Sequence, residues 1–122
     1  MLYTTYFGNL RKLPDTITPI AICGKSPDWW NGYEYKKLAP KWAFFKEWKE
    51  NHDNDFYIRC FEEQVLSKLN PNKVLEDLDN LAGKGDKALV CYEKVGEFCH
   101  RHLVSAWFRE NGIDIIEYSR IL

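Results

Sequence analysis

Two hydrophobic rhythms alternate along this chain, one short and apolar, the other spaced by three and four. Residues 2–7 are a β-branched and aromatic run that stops at Gly8-Asn9, which predicts a first strand and a turn. Residues 17–23 form a second apolar run, with only Thr18 as polar relief, and end at Gly24. Such a run suits a strand covered on both faces, and Pro19 within it predicts an edge position or an early break in the ladder. Residues 24–39 carry Pro27, Gly32 and the pair Trp29-Trp30 without a period, and are read as a long loop.

Helical spacing follows. Pro40 suits a first helical position, and Trp42, Phe45 and Trp48 then share one face as expected core. Asn54 or Asp55 is placed to cap a second helix, in which Ile58, Phe61, Val65 and Leu69 keep a 3–4 spacing. Asn70-Pro71 opens a third helix, with Val74 or Leu75, Leu78 and Leu81 inward and Gly83 as its stop. Residues 88–92 are the best candidate for a central strand. A helix over about 96–111 then presents Cys99, Leu103, Ala106 and Trp107, and residues 113–118 predict a last strand. Strands separated by helices imply parallel crossovers. The expected fold is an α/β three-layer sandwich in a single domain over residues 1–122, with a mainly parallel sheet of about four strands and helices on both faces.

Composition narrows the function without naming it. The 122 residues hold 17 basic and 18 acidic side chains, which excludes a polybasic nucleic-acid arm or an acidic tail as the main feature. The basic bias of residues 25–49 reads first as a solvated face. Aromatics are in excess, with 7 Phe, 7 Tyr and 5 Trp, enough to stabilise a core without disulfides or metal. The first residues carry no basic region ahead of an apolar stretch, and no apolar run approaches the ~20 residues that span a bilayer. A cytoplasmic protein with no membrane association is expected, its Cys23, Cys60, Cys91 and Cys99 as free thiols.

Ligands of open α/β sheets lie beyond the carboxyl ends of the strands. That rule selects Tyr6, Gly8 and Asn9 after the first strand, and Cys23, Lys25, Ser26, Trp29 and Trp30 after the second. After the central strand come Cys91, Tyr92 and Glu93, then Cys99, His100 and Arg101 where the next helix begins. A helix N-terminus favours anions, Arg101 would add a fork of donors, and the same field would lower a nearby thiol pKa. Glu93 and His100 are the candidate acid–base pair. Cys91 and Cys99 read first as small buried packing residues, and Glu93 with Arg101 reads equally well as a salt bridge. Trp29 and Trp30 are either a stacking surface for a base or sugar or a lid over the sheet end.

Leu89-Val90-Cys91-Tyr92-Glu93-Lys94 followed by Phe98-Cys99-His100-Arg101 resembles the signature of the domain of unknown function 488 family. The early Tyr-x-x-Tyr-Phe-Gly-Asn strand and the Leu38-Ala39-Pro40 helix start look similar too. The resemblance implies a small bacterial or phage α/β protein and no particular reaction. A zinc site from Cys91, Cys99 and His100 lacks a fourth ligand and the recurrent short spacings of structural sites, so no metal or cofactor is expected. A P-loop, a dinucleotide fingerprint and the fixed Cys-to-Arg spacing of a phosphatase loop are all absent from the sequence.

Three functions are therefore in play. The first is a module binding a small anionic ligand, a nucleotide or a nucleic-acid end. The second is an enzyme acting on a phosphorylated or glycosidic bond through a Cys thiolate or the Glu93–His100 pair. The third is a phage- or defence-related interaction factor using exposed tryptophans.

Overall fold

The computed structural model describes residues 1–93 and 97–118. Five strands, β1 (Leu2–Tyr6), β2 (Ile17–Ala21), β3 (Tyr33–Glu34), β4 (Asp86–Cys91) and β5 (Ile115–Glu117), form one sheet in the order β3-β2-β4-β1-β5. Every pairing is parallel. The sandwich expected from the sequence is present, with one strand more than anticipated. That strand, β3, pairs through two rungs only and both its residues are exposed, so no apolar run announces it. Pro19 stands opposite Ala88 of β4, ahead of the β3 rungs at Ile20 and Ala21, so no strand on the β3 side requires its missing N–H.

Alternation along the strands sorts the core into two layers. Ile20, Ile22 and Leu89 face a large cluster built from α1 (Trp42–Asn51), α2 (Asn54–Gln64), α3 (Pro71–Ala82) and α4 (His100–Glu110). Ala21, Cys23 and Val90 lie in a smaller cluster covered by Phe7 and Leu10 of a 3₁₀ helix, Phe7–Lys12. The second helical layer is therefore thin. It is also the layer that holds Cys91 and Cys99.

Local chemistry fixes the helix ends. Asn70 accepts from the Asn72 and Lys73 N–H groups at 2.9 and 3.2 Å, with Pro71 in the first turn, as expected. Asp53, one residue before the two expected caps, accepts from Phe56 N at 3.1 Å. Gly83 closes α3 at φ 83, where a side chain would be strained. Two apolar stripes differ from expectation. In α1 the buried residue is Phe44, packed edge-on against Tyr57; of the expected stripe Phe45 and Trp48 do pack against the core, while Trp42 is 68% exposed because the helix starts there and its first turn overhangs the core. In α4 the fully buried residues are His100, Arg101, Val104, Ser105 and Phe108; of the expected stripe, Leu103 and Trp107 are half-buried against the core and Cys99 is buried just ahead of the helix. Cys99 is the N-cap residue there, and the helix begins four residues later than anticipated, Gly96 lying outside the described residues.

Phe108 anchors α4 in the core from a fully buried position. Phe108→Ala is expected to lower unfolding free energy by about 3–5 kcal/mol, the range for a buried aromatic truncation. Urea denaturation followed by circular dichroism measures it, and a loss under about 1 kcal/mol would contradict this packing.

Candidate functional site at the carboxyl edge of the sheet

β1 lies between β4 and β5, so the ends of these three strands converge. Tyr6 stands beside Cys91 and Thr4 beside Glu117. The first turn of α4 sits over this edge and inserts Arg101, which has no exposed surface. Its Nε and Nη2 donate to the two carboxylate oxygens of Glu117 at 3.1 and 2.9 Å, a bidentate pair. Nη1 donates to the Glu93 carbonyl and points to Cys91 Sγ at 3.7 Å. The guanidinium carbon lies 5.6 Å from the centre of the Tyr6 ring. Thr4 Oγ1 donates to Glu117 Oε1 at 2.6 Å. Arg101 is thus a buried strut between β4, β5 and the segment after Cys91, and the fork anticipated for a ligand is engaged within the protein.

His100 is buried next to it. Its Nε2 lies 2.8 Å from the Ile22 carbonyl, and since a carbonyl only accepts, Nε2 carries the proton. Burial, reinforced by the neighbouring Arg101 charge, pushes its pKa down to about 4, so the ring is neutral around pH 7. Burial likewise raises the Glu93 carboxyl above its ordinary range, while the Arg101 charge partly opposes the shift.

Cys91 and Cys99 are paired as a disulfide, which corrects the expectation of four free thiols; Cys23 and Cys60 are free. The cause is topological: the end of β4 and the N-cap of α4 face each other, eight residues apart in sequence. Cys23 is buried in the same cluster, 3.8 Å from Ser26 Oγ, with its thiol pKa raised by burial.

Outside this cluster lies an aromatic shelf. Phe7 is its hub, with ring centres of Tyr92, Trp30 and Trp29 at 5.0, 5.4 and 5.7 Å. Trp29 is 63% and Tyr92 47% exposed, whereas Trp30 is half-buried and donates its indole N–H to the Tyr33 carbonyl. The Tyr92 hydroxyl donates to the Lys25 carbonyl at 2.5 Å and ties the β2–β3 loop to the end of β4.

The remaining anticipated residues are engaged within the fold. Asn9 is buried and donates to Thr5, and Ser26 donates to Glu34 at 2.5 Å. Gly8 is confined by the Tyr6 ring, 3.1 Å from where a Cβ would stand. Two clefts of about 260 and 270 Å³, beside Asp79 and Lys87 and beside Leu66 and Trp107, lie away from this edge. Sequence reasoning missed Glu117, Thr4 and Phe7. The signal for Glu117 was a carboxylate inside a short apolar strand, which has meaning only once a buried cation is known to face it.

The family profile described as the active DUF488-N3 subclade matches residues 8–112. The chain belongs to the DUF488 family. The match spans the shelf, the Cys-x-Glu segment and the Cys-His-Arg turn, and leaves outside it Thr4, Tyr6 and Glu117, which complete the surroundings of Arg101 in this DUF488 protein. No curated protein and no solved structure matches the chain. Among the described residues no helix is long and apolar enough to cross a membrane.

The buried histidine sets a pH dependence. Its pKa is about 4 when folded and near 6.5 when unfolded, so between those values the unfolded chain binds more protons and stability falls on acidification. His102, also shifted down by burial, acts in the same direction. Urea midpoints should be flat above about pH 6.5 with respect to His100 and decline towards pH 4. His100→Gln should shallow that decline, and an unchanged slope would contradict the buried neutral ring.

Proposed function

We propose that this DUF488 protein binds a nucleotide or another phosphate-bearing small ligand at the carboxyl edge of its sheet. The exposed shelf of Trp29 and Tyr92 around Phe7 carries the reading, because an indole face open to solvent beside strand ends suits a base. Lys25, whose carbonyl is held by Tyr92, supplies a cation at the rim. The first turn of α4 has no side-chain cap and no acidic residue, which favours a phosphate there. Arg101 is a positioning residue in this scheme, holding the floor of the site through Glu117.

The test is a thermal-shift and calorimetric comparison of nucleoside mono- and diphosphates with inorganic phosphate. Nucleotides are expected to raise Tm more than phosphate alone, and Trp29→Ala to weaken nucleotide binding about tenfold, the share of one stacked base. Absence of any nucleotide shift, or equal affinity in Trp29→Ala, would overturn the reading.

The Arg101 Nη1–Cys91 Sγ contact favours a second reading, an enzyme in which reduced Cys91 is a thiolate stabilised by that guanidinium. The description of the matched subclade as active agrees with it. In reduced protein Cys91 should then alkylate faster at neutral pH than Cys60, and Arg101→Met should slow it. Uniformly slow labelling by mass spectrometry would remove this reading.

A further inference from the structure

Cys91, Cys99 and His100 are three buried residues whose potential ligand atoms lie within 4.8 Å of one another. Direct adjacency of Cys99 and His100 speaks against a shared ion when read along the sequence. The start of α4 removes the objection: Cys99 is the extended N-cap residue and His100 the first helical one, and their ligand atoms converge with that of Cys91 at the end of β4.

We propose that the reduced protein binds one thiophilic divalent ion of the zinc class through Cys91, Cys99 and His100. Two thiolates and one imidazole are donors that zinc prefers. The outer shell is already arranged. His100 donates Nε2–H to the Ile22 carbonyl, which fixes the tautomer and leaves Nδ1 as the ring's lone pair, the arrangement usual for a metal-ligating histidine. Arg101 Nη1 points an N–H at Cys91 Sγ, which suits a ligating thiolate. Three protein ligands leave a fourth position for water or a donor atom of a bound molecule, as in catalytic rather than structural zinc sites.

Binding and the disulfide exclude each other. A dithiol or phosphine reductant supplies two electrons, and two protons are taken up as the disulfide opens to two thiols, the reductant being oxidised in turn. The ion then replaces those two protons, which leave to solvent. The two thiolates balance the ion's charge. None of its ligands belongs to the aromatic shelf, although Cys99 and His100 open the helix turn to which the nucleotide reading assigns the phosphate; cobalt absorption in ligand-free protein reads the ion alone.

Anaerobic titration of the reduced full chain with Co²⁺ tests it. One equivalent should produce thiolate-to-cobalt charge-transfer absorption, which Zn²⁺ then bleaches. Cys91→Ser and Cys99→Ser should each abolish that absorption, and Cys60→Ser should leave it intact. His100→Gln should weaken binding by at least about tenfold, as loss of even an outer-shell partner does. Protein oxidised to the disulfide should bind no cobalt, which keeps the test independent of whether a variant folds. Charge-transfer bands absent from reduced wild type, or retained in oxidised protein, would overturn the proposal.

Discussion

The carboxyl edge of the sheet depends on the ion pair between Arg101 and Glu117. A guanidinium without exposed surface is tolerated only when its donors are met, because a lone buried charge is strongly destabilising. Here Nε and Nη2 meet one carboxylate, Nη1 meets the Glu93 carbonyl and the Cys91 sulfur, and the Tyr6 ring lies beside the charge. The pair joins the first turn of α4 to β5 and, through Thr4, to β1. It thereby sets where Cys99 and His100 stand relative to Cys91.

Two chemically different zones result. The inner one is buried and contains Cys91, Cys99, a neutral His100 and the ion pair, with Cys23 at its border. The outer one is the Phe7-centred shelf, where Trp29 and Tyr92 meet solvent. The inner zone suits thiol or metal chemistry and the outer one suits recognition of a flat, phosphate-bearing molecule. Tyr92 connects them, since it follows Cys91 directly and its hydroxyl reaches the loop that carries Trp29.

Most elements were legible because their signals are local. Asn70-Pro71 and Gly83 bracket α3, and the apolar run over 88–92 falls on the central strand β4 (Asp86–Cys91), because caps and apolar runs act within a few residues. Other features were set by tertiary contacts. β3 consists of two exposed residues that pair only because the loop after β2 returns alongside it. The face of α4 is decided by the sheet edge it covers, so a spacing that pointed to Leu103 and Trp107 missed His100 and Arg101 as interior residues. The strand-end rule located Cys91, Glu93, Cys99, His100 and Arg101. It could not show that Arg101 is engaged by Glu117, sixteen residues further on, or that the two cysteines touch.

The most direct test of this account is a double-mutant cycle over Arg101→Met and Glu117→Met, read as unfolding free energy from urea denaturation. Each single substitution strands one buried polar partner and should cost about 3–5 kcal/mol. The double variant removes both, so its cost should fall short of the sum by about 2–3 kcal/mol, the coupling expected of residues in direct contact. Additive costs would contradict the claim that this pair holds the edge of the sheet together.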